Sequence, residues 1–270
     1  MSARVTICLP VLNGAAYLED ALASLERQTF RDFKIVASDN GSTDLTGEML
    51  LEWKTRLPLD IIRREPRVSM VENFNGLIGQ VDSDYYMLLC HDDFLADENA
   101  LADAVAVLDD QPDVSAIYCD LLYVDEKGRK LATRRFQRRG RMDADDLGQQ
   151  CLATARNLFG IPLLIRTRDL GSHRYDPALS YVCDIDLSWS ISEHNPAYHI
   201  ERPLIANRYT GGNHTWSLLR LAGRQFQVLA TKHGVRLDFS RRCRLWFVNW
   251  IVMQQKRLFG LYARWKGRCA

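Results

Sequence analysis

Two adjacent carboxylates, Asp92 and Asp93, follow His91 where the apolar run Tyr85-Tyr86-Met87-Leu88-Leu89-Cys90 stops. Such a run, bounded by polar residues, reads as a strand buried on both faces. Open α/β sheets hold their ligands at the C-terminal ends of such strands. Neighbouring carboxylates repel, so this pair stays ionised only beside a cation, a hydrogen-bonding ligand or solvent. A divalent metal carrying a diphosphate meets that need. The competing reading is a solvated acidic helix start, because Leu95 and the residues after it have a helical pattern. The tripeptide alone leaves both open.

Other phosphate and catalytic signatures are missing. The turn after the first strand reads Pro10-Val11-Leu12-Asn13-Gly14, not the G-x-G-x-x-G of a dinucleotide site, and no P-loop is present. There is no G-x-S-x-G elbow and no H-x-x-x-H pair. An α/β sheet with acids at strand ends but no glycine cradle leaves the diphosphate to a metal.

The elements that must position these acids alternate. Val5–Val11 is a β-rich run, and Tyr17, Leu18, Ala21, Leu22 and Leu25 make one helix face. Residues 33–37 form a second strand, and Asp39-Asn40-Gly41-Ser42-Thr43-Asp44 a turn that caps a further helix. A third strand over 59–62 and a helical pattern through Val71, Phe74, Leu77 and Ile78 lead back to the strand that ends at His91. This order predicts a doubly wound, mainly parallel sheet. Further strands are expected over 114–119, 161–165 and 198–206, the last closing the sheet. A helix is expected from Asp186, and an exposed arginine-rich loop over 134–141.

The 270 residues, 47% apolar and 26% charged, fit one large soluble α/β domain, or a domain plus a small appendage. Seven scattered cysteines without a C-x-x-C pair read as core residues of a reducing compartment, which argues against structural zinc. No signal-peptide core and no long apolar span is seen, so a cytoplasmic protein is expected. The formal charge of +1 hides an asymmetry. Residues 216–270 carry twelve Lys/Arg against Asp238 alone, a net of +11, which leaves −10 on residues 1–215.

Several motifs together resemble the family 2 inverting glycosyltransferases of GT-A fold. They are Val5-Thr-Ile-Cys-Leu-Pro-Val-Leu-Asn-Gly14, Tyr17-Leu-Glu-Asp-Ala-Leu-Ala-Ser-Leu25, Gln28-Thr-Phe30 and Ala37-Ser-Asp-Asn-Gly-Ser-Thr-Asp44. Asn73-Phe-Asn75, the acidic tripeptide, Val182-Cys-Asp-Ile-Asp-Leu187 and Asn207-Arg-Tyr209 continue the series over about residues 4–215. The resemblance implies a Rossmann-like, mixed sheet flanked by helices over 1–215, with 216–270 as a basic, aromatic, helical extension. It also implies sugar transfer from a nucleotide-sugar donor to a glycan or lipid-linked acceptor in cell-surface polysaccharide assembly.

Carried over residue by residue, the resemblance places Asp39 on the donor's base, with Pro10, Val11 and Asn13 lining the nucleotide pocket. A carboxylate facing a pyrimidine imide N–H favours a UDP- or dTDP-linked sugar over a GDP-linked one. Asp93 matches the metal-ligating acid, and Asp92 the acid near ribose or metal, with Mg²⁺ or Mn²⁺ as the ion. Asp184 matches the catalytic base, Asp186 being a helix-capping acid or the alternative base. His214 lies where relatives place a residue near the diphosphate. Arg63 and Arg64 either approach phosphate or are solvated, and the arginines of 134–141 form either an acceptor flap or a soluble loop.

The chain departs from the family pattern at His91, where a D-x-D motif begins, and at Cys183, where a glutamate precedes the base. Those departures keep alive an inactive relative acting as a membrane-associated assembly subunit. A sugar-nucleotide nucleotidyltransferase is the other alternative, and it would want a glycine-rich basic loop after the first strand. The extension, with Leu245-Trp-Phe-Val-Asn-Trp-Ile-Val-Met253 flanked by arginines, suits an anionic membrane surface or else packs on the domain. No nucleic-acid motif accompanies it.

Overall fold

The computed structural model describes residues 3–136, 140–209 and 218–268. Its first half follows the alternation of the sequence. Strand β1 (Val5–Val11), helix α1 (Leu18–Glu26), β2 (Phe33–Asp39), α2 (Thr46–Trp53), β3 (Leu59–Arg63), α3 (Met70–Ile78) and β4 (Tyr85–Leu88) succeed one another. The strands lie in the order β3-β2-β1-β4, and every pairing is parallel. Helix α3 starts on a capping box in which Ser69 Oγ accepts from Glu72 N and the Glu72 carboxylate accepts from Ser69 N.

The sheet continues from β4 through β9 (Leu164–Arg166), β6 (Ala116–Val124) and β10 (Ala197–Arg208) to β5 (Phe94–Leu95). Strands β7 (Lys130–Arg134) and β8 (Gly140–Met142) add to β6 and β10. Strand β10 runs parallel to β6, whereas β9, β5, β7 and β8 pair antiparallel. The result is a mixed sheet whose long strands are mainly parallel.

Four expectations change. The strand after residue 85 ends at Leu88, although Leu89 N still donates to Cys8 O at 3.0 Å. The residues after Asp93 start no helix. Phe94 and Leu95 pair with Ala206 and Ile205, and helix α4 (Ala100–Asp110) begins later. The arginine-rich stretch is partly sheet: Arg134 ends β7 and Arg141 lies in β8, with 137–139 outside the described residues. Strand β10 does not close the sheet but lies inside it, and its register breaks around Pro203, which has no N–H to donate.

Side chains alternate between the faces of the sheet. Val5, Ile7, Leu9 and Val11 join residues of α1, α2 and α4 in one apolar cluster. Cys8, Val36, Tyr86 and Leu88 join α3, α5 (Ala144–Thr154) and α7 (Cys183–Ile191) in the other. Helix α8 (Ala222–Lys232) belongs to that second cluster through Phe226, Leu229 and Ala230. Helix α9 (Phe239–Arg268) joins it by Leu245. Gly148 lets α5 meet α7 closely, since a Cβ there would stand 2.1 Å from the Trp189 ring. Short helix α6 (Thr167–Leu170) follows β9.

Candidate active site

The loops after β1 and β2 are knitted together at the C-terminal edge of the sheet. Asn13 adopts φ +48° and is exposed; its Oδ1 accepts from Thr43 N at 2.9 Å, and its N–H donates to Ser42 Oγ at 2.9 Å. Asp39, the last residue of β2, is 2% exposed, and its Oδ1 accepts from Ser42 N at 2.8 Å. Its Oδ2 lies 3.5 Å from Arg63 Nη1. Pro10 and Val11 pair with Ser38 and Asp39 inside β1. Strand β4 pairs with β1 only as far as Cys8, so the missing N–H of Pro10 costs no ladder bond there.

His91 and Arg64 prove to be ties within this frame. His91 Nδ1 lies 3.3 Å from Pro10 O, a carbonyl that can only accept, so Nδ1–H donates. Its ring rests on Gly14, where a Cβ would lie 2.7 Å from His91 Cδ2. Arg64 Nε donates to Ser38 Oγ (3.1 Å) and Asn73 Oδ1 (2.9 Å). Its guanidinium fills the space beside Gly76, where a Cβ would approach Nη2 to 2.1 Å. Arg64 thus joins the end of β3 to α3, while Arg63, 55% exposed, pairs with Glu65 and borders Asp39.

The acidic centre is assembled from segments far apart in the chain. Asp93 Oδ2 accepts from Asn207 Nδ2 at 2.8 Å, and Oδ1 from Arg208 N at 2.9 Å. The Arg208 guanidinium is buried and ties four segments. Nε donates to Asp92 O (3.1 Å), Nη1 to Glu126 O (2.8 Å) and Nη2 to Asp20 Oδ2 (2.5 Å), beneath the Tyr17 ring. Desolvation, followed by the neighbouring Asp92 charge, pushes the Asp93 carboxyl well above the usual carboxylate range. Ligand atoms of Cys90, Asp92 and Asp93 lie within 4.8 Å of one another.

These residues fit a hard divalent cation. Two carboxylates supply oxygen, the donor that Mg²⁺ and Mn²⁺ prefer. Asn207 Oδ1, next to Asp93, is buried with no hydrogen-bond partner among the described residues. Cys90 does not fit such an ion as a ligand. Burial and then the charges of Asp92, Asp93 and Asp184 push its thiol up, so it stays protonated.

Asp184 lies in the first turn of α7, where the helix dipole favours an ionised carboxylate. Its Oδ2 accepts from Asn157 Nδ2 at 2.5 Å. Asn157 is itself fixed, its Oδ1 accepting from Phe159 N (3.0 Å) and Gly160 N (2.9 Å). Asp186 points the other way, 1% exposed, and it caps nothing. It pairs with Lys232 Nζ at 2.8 Å and His233 Nε2 at 3.0 Å, and so locks α7 to α8. His214 lies outside the described residues.

Asn157, Asn207, Arg208 and Cys90 have no role that the sequence alone assigns. Asn207-Arg208 had a signal, its place in a motif series, whereas Asn157 sits in an irregular loop without one. Asn157→Asp tests its hold on Asp184. The substitution keeps the acceptor for Phe159 and Gly160 but sets a second carboxylate beside Asp184. Like charge raises the Asp184 pKa, so activity on the acid side should need a higher pH, measured as a shifted acid limb of kcat/KM. An unmoved limb would take Asn157 out of that role.

The family model for glycosyl transferase family 2 matches residues 6–159. The chain is 34% identical over 146 residues to the abequosyltransferase RfbV of Salmonella typhimurium, covering 53% of this chain and 42% of that protein. It is 27% identical over 162 residues to a PGL/p-HBAD biosynthesis glycosyltransferase of Mycobacterium bovis, covering 57% and 60%. The match thus spans about half the length of these curated relatives. The fold is shared with S. aureus TarS 1-349 in complex with UDP-GlcNAc, at TM-score 0.66 and 18% identity over 82% of this chain and 66% of that one. It is shared also with the mannosyltransferase PcManGT of Pyrobaculum calidifontis in complex with GDP-Man and Mn²⁺, at TM-score 0.60 and 15% identity over 98% and 85%.

Proposed function

The chain belongs to glycosyl transferase family 2, and on that footing we propose that it moves a sugar from a nucleotide-sugar donor to a hydroxyl of a glycan or lipid-linked glycan, with inversion. The observation that carries this reading is the cluster of Cys90, Asp92 and Asp93, whose ligand atoms lie within 4.8 Å of one another and whose Asp93 is held by Asn207 and Arg208. Relatives named for abequosyl transfer and for PGL/p-HBAD biosynthesis support cell-surface polysaccharide or glycolipid assembly as the setting. Neighbours solved with UDP-GlcNAc and with GDP-Man and Mn²⁺ support the donor class and a divalent ion.

Asp39 would accept the imide N–H of a uracil or thymine at the end of β2. The end of β4 is two strands away, about 10 Å, a span a nucleoside diphosphate bridges. Asp93 and Asp92 would hold Mg²⁺ or Mn²⁺, which when bound neutralises charge on the departing diphosphate. Asp184 would remove the acceptor proton. The acceptor oxygen attacks the anomeric carbon from the face opposite the diphosphate, and the carbon–oxygen bond to the nucleotide breaks with its electron pair leaving on the phosphate oxygen. One displacement of that kind inverts the centre. The hydrogen bond from Asn157 orients the Asp184 carboxylate at the N-terminus of α7.

A thermal-shift panel of UDP-, dTDP- and GDP-sugars with and without Mn²⁺ tests the donor assignment. Pyrimidine donors with Mn²⁺ should raise the Tm most. Asp39→Asn should weaken their binding by roughly tenfold or more, the worth of a hydrogen bond to a charged acceptor. A GDP-sugar that stabilises best, or binding unmoved by Asp39→Asn, would overturn it.

A further inference from the structure

Helix α9 has two apolar sides, and the domain covers only one. Leu245, Asn249 and Val252 are buried, and the helix rests on α5 and α8 through that stripe. At about 100° per residue these three fall within about 60° of one another. Phe239, Trp246, Phe247, Trp250, Leu258 and Leu261 are all exposed, from 47% at Trp250 to 82% at Phe239. On the same count they occupy an arc of about 120° on the opposite side, shared with exposed Cys243 and Arg257, and extend for about 33 Å. Exposed Arg242 and Arg244 border the arc on its two edges. Packing on the domain and contact with a membrane were alternatives for this segment, yet the helix has a separate face for each.

We propose that this outer face of α9 lies in the interface of an anionic phospholipid bilayer. Three observations select lipid over other occupants. Trp246 and Trp250 carry an apolar body and an N–H that suit the boundary between headgroups and acyl chains. The arginine rims meet anionic headgroups, and residues 216–270 carry the net +11 while 1–215 carry −10. The field of such a surface therefore draws α9 in and turns the acidic body outward. A second copy of the chain seated on this face by two-fold symmetry would instead bring like-charged rims together. A nucleic acid would neutralise the arginines and leave six large apolar side chains in water. Among the described residues no helix is long and apolar enough to cross a membrane, so α9 lies on the bilayer rather than through it.

The test is co-sedimentation of the full chain with vesicles of phosphatidylcholine alone or mixed with phosphatidylglycerol. The mixed vesicles should bind it at least about tenfold more tightly, the preference shrinking with salt. Trp246→Ser/Trp250→Ser, both exposed positions, should keep the wild-type Tm and lose about tenfold or more in binding. Arg242→Gln/Arg244→Gln should lose the preference for anionic lipid. Failure of the wild-type chain to sediment, or unchanged binding by both double variants, overturns the proposal. So does light scattering that shows a dimer which Trp246→Ser/Trp250→Ser dissolves. The assay reads no sugar transfer, so its failure and that of the proposed reaction are separable.

Discussion

Asp184→Asn is expected to lower sugar transfer by roughly 10²–10⁴-fold, the usual contribution of a positioned general base, while nucleotide binding persists. The amide has the same shape, and its oxygen can still accept from Asn157 Nδ2, now 2.5 Å from Asp184 Oδ2. What disappears is the group that takes the acceptor proton. Donor-dependent release of the nucleoside diphosphate gives the rate, and titration calorimetry gives the nucleotide affinity. Asp186 supplies the control. It is bound to Lys232 and His233 and buried, so Asp186→Asn should lower the Tm, because breaking a buried pair leaves charge uncompensated. Full transfer by Asp184→Asn would remove that residue as the base.

The first four strands were legible because their apolar runs and turn residues are local. Val5–Val11 and Phe33–Asp39 each fill a strand, and a glycine or asparagine turn follows each. Asp39 and Asp93 were legible for the same reason, since each stands at the end of such a run. The partners of Asp93 were not. Asn207 and Arg208 reach it across 114 and 115 residues, and nothing near either segment announces the other. Phe94–Leu95 is too short for a period of two to register, so the sequence around it passed for a helix start. Lys130–Arg134 is half-buried along most of its length, so no inside–outside alternation marks it as a strand, and Asn157 occupies a loop with no periodicity. Asp186 was ambiguous because its partners, Lys232 and His233, lie more than forty residues away, across a compositional border.

Asp93→Asn should change nucleotide affinity only when metal is present. Without a divalent ion, burial and the Asp92 charge already disfavour the ionised form of Asp93, so the neutral amide should leave UDP binding nearly unchanged. With Mn²⁺ the same substitution removes an oxygen anion from the ion's coordination. The metal-dependent gain should then fall by at least the 10–100-fold that loss of a mere outer-shell partner costs. The fold should survive. The oxygen of the introduced amide can accept from Arg208 N, and rotation of the Asn207 amide turns its Oδ1, unpartnered among the described residues, toward the new N–H₂. Asp93→Ala would instead strand both donors, at about 1–3 kcal/mol each, and mix stability with affinity. Titration of UDP into both proteins, with Mn²⁺ and with chelator, separates the two arms. If the Mn²⁺-dependent gain survives Asp93→Asn intact, the ion is held elsewhere, and the Asp92–Asp93 pair loses its proposed purpose.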